Sequence, residues 1–200
     1  INYFFPYKYR IGEDWNKVLV EMVPKFKDSK DTISYHLAML ELTAKINDSH
    51  AGLVTKYTNR FFGLKWAPFS FRIIDGKAIV TVFYDDSLCK KNDIQIGDVF
   101  LKVDNSKIED ILKERSKYIG ASNSVTKIWY SYYVIFNGQT DSVKVTFERN
   151  GVITEKTIKR YYYKDFKRNY PLKIDTCKIL DGNIGYINMG ALQQKQVSGY

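Results

Sequence analysis

The feature that most constrains this chain is a change of hydrophobic period near residue 51. From Asp14 to Asp48 the apolar residues recur at helical spacing. From about Phe61 to Tyr161 they alternate with polar ones. A helix gathers residues three and four apart on one face, whereas a strand gathers every second residue. The two periods therefore predict an α+β chain, with an N-terminal helical hairpin followed by a β domain.

Within the helical part, Gly12-Glu13-Asp14 offers a start. Trp15, Val18, Leu19, Met22, Val23 and Phe26 then form one apolar stripe. Pro24 is expected to end or kink that helix, because it lacks an N–H and its ring crowds the preceding turn. After a polar break, Asp31 or Thr32 is the expected N-cap of a second helix. Tyr35, Met39, Leu42 and Ile46 make one stripe, and Ile33, Leu37, Leu40 and Ala44 another. Two stripes make a broad apolar face, so this helix is expected to be largely buried. His36 lies between them and is read as a satisfied helix-side histidine. The short connection makes the pair antiparallel. Ahead of them, INYFFPYKYRI (Ile1 to Ile11) is expected to pack as an extended arm.

In the alternating part, Phe69, Phe71 and Ile73 lead to Asp75-Gly76, and Ala78 to Val82 follows. Asp-Gly between alternating runs is a strong hairpin signal. Val143, Val145 and Phe147, then Arg149-Asn150-Gly151 and Val152 to Ile158, predict a second hairpin. Between them come a strand through Val99, Leu101 and Val103 and a helix over Lys107 to Tyr118, with Ile108, Ile111 and Leu112 facing in. Gly52 to Thr58 is expected as a strand or connector, Asp85 to Asp93 as a loop, and Tyr161 to Lys167 as a linker; Ile119 to Gln139 has no clear period. The expected divisions are 1–60, 61–165 and 166–200.

The net charge is +9, but the lysines (Lys56, Lys65, Lys77, Lys102, Lys127 and Lys144 among them) are scattered. That describes a solvated basic surface rather than a polyanion tract, and no nucleic-acid partner is expected. Two histidines and two distant cysteines, Cys89 and Cys177, fit no metal-ligand spacing, so no metal or other cofactor is expected. The cysteines are either one disulfide or two free thiols. No apolar run is long enough to span a bilayer. The chain begins at Ile1 and stops at Tyr200 in mid-pattern, and is read as a piece of a longer protein.

The polar cluster Asn47-Asp48-Ser49-His50 closes the second helix. A histidine there can simply cap helix carbonyls, and Asp48 or Ser49 can bond local backbone. LELTAKINDSHA (Leu40 to Ala51) also resembles the segment that closes the N-terminal helical domain of the tail-specific, C-terminal-processing serine peptidases. Its Ser49-His50 pair is similar to the tricorn-like branch, in which such a histidine is the base of a Ser-His-Glu arrangement. The resemblance extends onward. GLKWAPFSFRIIDGKAIVTV, IQIGDVFLKVDN and DSVKVTFERNG resemble a PDZ domain, and Ile184-Gly185-Tyr186-Ile187 resembles the strand that opens the family's α/β catalytic core. Gly63-Leu64-Lys65-Trp66 departs from the usual carboxylate-binding loop, and Ile119 to Gln139 looks like an insertion.

The resemblance implies an N-terminal and PDZ-like portion of a serine-type endopeptidase acting on polypeptides. His50 would be the base and Ser49 its neighbour. Gly63, Leu64, Phe69 and Phe71 would read a peptide with a free C-terminus. The nucleophile would lie beyond this chain, so this piece alone is expected to be inactive. Ser198-Gly199 lacks the surroundings of a nucleophile. Relatives are mostly exported, which implies an extracytoplasmic setting. The competing expectation is a basic, Tyr-rich binding module for carbohydrate, peptidoglycan or nucleic acid, with Tyr161-Tyr162-Tyr163 and Tyr130, Tyr132 and Tyr133 as a stacking platform. The oligomeric state is not legible.

Overall fold

Residues 9, 11, 12, 14–167 and 177–188 are described by the computed structural model. The expected arm at Ile1 to Ile11 falls almost wholly outside them, as does Ser198-Gly199. The chain forms two units, 1–167 and 168–200.

The first unit opens with α1 (Trp15–Lys27), whose N-cap Asp14 accepts from the Asn16 N–H. Pro24 sits inside α1, and the helix runs on to Lys27. The last turn is held by contacts beyond the proline: Phe26 meets Tyr35 edge-on at 5.3 Å, and Lys25 pairs with Glu41 at 2.5 Å. In α2 (Thr32–Ala44), Asp31 is the N-cap and exchanges hydrogen bonds with Ser34 in a capping box. Ala38, Leu40, Glu41 and Ala44 are buried, whereas Tyr35 of the first stripe is exposed. On α1 only Val18 and Met22 of the predicted stripe are buried; Leu19 and Val23 are exposed among the described residues. The helical hairpin is present as expected.

Residues 51–55 are irregular, and α3 (Lys56–Phe62) follows where a strand or connector was expected. Thr55 caps it, with Thr58 completing a capping box. Leu40 of α2 and Phe62 of α3 are buried in the same cluster as Phe69, Phe100 and Val145, so α2 and α3 share a core with the sheet, while Val18 and Met22 of α1 pack with Ala38 in a second cluster.

That sheet is antiparallel, in the order β2 (Phe69–Ile74), β3 (Lys77–Phe83), β4 (Val99–Val103), β6 (Ser142–Arg149), β7 (Val152–Lys159), with β5 (Ser106–Lys107) also on β4. Both predicted hairpin turns have two residues of positive φ, Asp75-Gly76 and Asn150-Gly151. This twist matches that of the flanking strands. Val143, Val145 and Phe147 of β6 face the core in alternation. Phe100 stacks on Phe69 at 5.2 Å, and Phe136 meets both edge-on.

Three further segments depart from expectation. The stretch from Asp85 to Asp93 contains α4 (Asp86–Lys91). The unassigned stretch holds α6 (Ser124–Tyr130) and α7 (Tyr132–Ile135), after α5 (Ile108–Arg115) and a short 3-10 turn. Val134, Ile135 and Phe136 are buried, so this stretch fills the core rather than looping out. The expected linker at Tyr161 is a short strand, β8 (Tyr161–Tyr162), paired with β1 (Lys65–Trp66).

In the second unit, β9 (Cys177–Leu180) pairs with β10 (Ile184–Ile187), so the IGYI segment is a strand. Cys89 and Cys177 are free thiols. Burial pushes the Cys89 thiol up to about 12.

Candidate functional site

The end of α2 turns sharply. Asn47 has a φ of 55°, and its side-chain amide donates to the Ile11 carbonyl at 2.7 Å. The Ala51 N–H donates to the Asp48 carbonyl at 3.0 Å, closing a turn over 48–51. Inside it, Asp48 Oδ1 accepts the His50 N–H at 2.8 Å and lies 3.1 Å from His50 Nδ1. His50 does not cap α2; its ring bonds Asp48 and its side chain is 95% exposed. The His50 backbone N–H first, and then its ring, hold the Asp48 carboxyl below its ordinary range. Sequence reasoning gave Asp48 only a local backbone role. Its spacing two residues before a histidine in a turn was the available signal.

Gly120 fixes where this turn sits. A Cβ there would lie 2.6 Å from the Ala51 carbonyl oxygen and 3.0 Å from that of Asp48. The backbone of residues 48–51 therefore rests directly on Gly120, a close approach that only glycine permits.

The residues either side of His50, Ser49 and Ala51, line a cavity of about 490 Å³. Gly63 and Leu64 line the same cavity, so the Ser-His turn and the candidate loop come together there. Two of the loop's N–H groups are already taken, however. The Gly63 N–H donates to the Asn59 carbonyl at 2.8 Å, ending α3, and the Lys65 N–H donates to the Gly138 carbonyl at 3.1 Å. Gly63 packs on the Gly138 backbone, which leaves no room for a side chain.

Phe69 and Phe71 lie elsewhere. Phe69 is 3% exposed and faces the core against Phe100. Phe71 lines a separate cleft of about 310 Å³ with Ile73, Ile74, Ile128 and Trp129. This cleft runs between α6 and β2, and β2 ends the sheet with one edge unpaired among the described strands.

Of the expected tyrosine platform, Tyr132 and Tyr163 both meet Trp66, at 5.9 and 5.2 Å between ring centroids, while the others are otherwise engaged. Tyr130, Tyr132 and Tyr133 pack against the core, and Tyr161 and Tyr162 pair with β1. His36 is not the satisfied helix-side histidine expected: it lies 4.6 Å from the Tyr57 ring, and its buried Nδ1 has no hydrogen-bond partner among the described residues. Among the described residues no cluster of three His, Cys, Asp or Glu is placed to hold a metal, and no helix is long and apolar enough to cross a membrane.

No family model matches the chain, and no curated protein sequence matches it. Solved structures do. Mature CPAF complexed with lactacystin is 16% identical, with a TM-score of 0.54 over 78% of this chain and 30% of that one. The photosystem II D1 C-terminal processing protease is 15% identical, with a TM-score of 0.34 over 76% of this chain and 38% of that one. The chain thus spans well under half the length of either. What it shares with mature CPAF is its fold, an α+β arrangement of helices on antiparallel sheet.

Proposed function

We propose that this chain is the N-terminal, substrate-handling portion of a serine-type endopeptidase, with His50 as its general base. The observation that carries the reading is the Asp48-His50 pair beside the cavity that Ser49 lines. With Nδ1–H donated to Asp48, Nε2 is left free to accept a hydroxyl proton and return it to the leaving amine. Asp48 would orient the ring and stabilise the imidazolium formed in the reaction. The fold shared with mature CPAF, a relative of the tail-specific proteases, agrees with the resemblance carried by Leu40 to Ala51 and by the later segments. By that resemblance the nucleophile belongs to a following catalytic core, and the protein works outside the cytoplasm.

A polypeptide would add as a strand to the open edge of β2, with its apolar side chains in the cleft against Ile128 and Trp129. Since the Gly63 and Lys65 N–H groups are already bonded, a peptide and its C-terminal amide should bind alike. A strong preference for the free acid in a titration would show that this loop opens to capture carboxylates.

The decisive experiment uses the protein with its catalytic core. His50→Ala should lower peptide hydrolysis by orders of magnitude and leave the melting temperature nearly unchanged. Asp48→Asn should lower turnover by about a hundredfold or more through loss of the productive tautomer. Wild-type turnover in His50→Ala would place the base elsewhere and end the proposal.

A further inference from the structure

The lining of the cavity beside the Ser49-His50 turn contrasts with the charge of the chain. The chain carries a net charge of +9, and 26% of its residues are charged. Yet none of the residues lining this cavity is charged. Its walls are aromatic and aliphatic: Phe62, Trp66, Tyr118 and Tyr133 on one part, Leu40 and Leu53 on another. The rings brace one another edge-on, with Phe62 5.9 Å from Tyr118 and 6.1 Å from Tyr133. Burial pushes the Tyr133 hydroxyl up to about 12, so the wall stays neutral across the physiological range. A volume of about 490 Å³ lies within the range of about 300–1,000 Å³ usual for ligand pockets.

A second observation points to a guest with a peptide group. Asn137 is only 8% exposed and lines the cavity. Its side-chain donor and acceptor match the carbonyl and N–H of a peptide unit.

We propose that this cavity is a specificity pocket that takes an uncharged aromatic side chain of the polypeptide substrate, with a flanking peptide group on the Asn137 carboxamide. The aromatic walls favour a ring over an aliphatic chain through edge-to-face contacts. A charged side chain is excluded because no lining residue compensates its desolvation. That the guest belongs to a substrate rests on the peptidase reading; the binding itself does not.

The test is direct binding to the present chain, followed by NMR through the amides of Gly52, Gly63 and Gly120, all of which line the cavity. N-acetyl-phenylalanine amide should shift these signals saturably, with a Kd on the order of millimolar. N-acetyl-lysine amide and N-acetyl-glutamate amide should not. Val54 lines the cavity but is 84% exposed, so Val54→Trp fills space without disturbing the core. That variant should weaken the phenylalanine probe tenfold or more. Asn137→Ala should weaken the same probe and leave toluene binding unchanged. Equal binding of the charged probes, shifts away from the cavity, or undiminished binding in Val54→Trp would overturn the proposal. His50 is not among the lining residues, so His50→Ala should bind the probe normally. A His50→Ala protein that remains active while binding the probe defeats the peptidase reading alone. Loss of turnover in His50→Ala without probe binding to the unaltered chain defeats the pocket alone.

Discussion

Gly120 is the residue on which the candidate base depends, although it touches no substrate. It holds the 48–51 backbone at contact distance, and backbone carbonyls cannot swing aside as a flexible side chain can. Gly120→Ala should therefore displace the Ser49-His50 turn, at a cost of about 1–3 kcal/mol from overpacking. Gly52→Ala is the matched control, since a Cβ there meets nothing within 4 Å. Thermal melts of the two variants should differ by several degrees, and the His50 ring signals should move only in the first. Equal melts with an unmoved His50 would mean that the turn is not seated on Gly120. His50 was marked in the sequence beside Ser49, and Asp48 only for a local backbone bond. Gly120 was not, because nothing local marks a glycine that makes room for a distant turn.

At the scale of the element, α4 shows how one carboxylate can hold a short helix. Asp85 is buried, which by itself raises its pKa, but the Leu88 N–H, the Ser87 hydroxyl and the Lys167 N–H together lower it below the ordinary value. The Leu88 and Ser87 groups cap α4 at 3.0 and 2.8 Å, and the Lys167 N–H ties down the chain after β8 at 2.7 Å. A folded pKa below the unfolded one gives stability that is complete above about pH 4 and lost as pH falls through the folded value. Asp85→Ala should cost about 1–3 kcal/mol. It should also remove this contribution to acid sensitivity below pH 4, measured by denaturant unfolding across pH. Unchanged acid sensitivity would show that other carboxylates carry it. The sequence held the cap signal, but α4 buries only Cys89 and has no apolar stripe to reveal it. The helices α3, α6 and α7 were missed for the same reason. Isolated helices this short are marginal in water, and their stability comes from what they pack against.

Within the first unit, the core that α2 and α3 share with the sheet makes a prediction about cooperativity. Leu40 and Phe62 carry the helical region into the cluster built around Phe100. Phe62→Ala should destabilise by about 3–5 kcal/mol. Helix signal and tyrosine environment should then melt together in a single shifted transition. Two separate transitions would show that the helices and the sheet fold independently.

The sequence by itself determined the α1–α2 hairpin, the β2–β3 and β6–β7 hairpins and the strand at Ile184. Their signals are local: a period, a cap, or a two-residue turn that only Asp-Gly or Asn-Gly enters easily. It also marked Ser49-His50 as a candidate. Tertiary structure alone decided that Phe69 belongs to the core and that the Gly63 and Lys65 N–H groups go to Asn59 and Gly138. It likewise assembled the uncharged cavity from segments as distant as Leu40 and Asn137. Those outcomes depend on which surfaces meet, and backbone hydrogen bonds and close packing between remote segments leave no periodic trace in the chain.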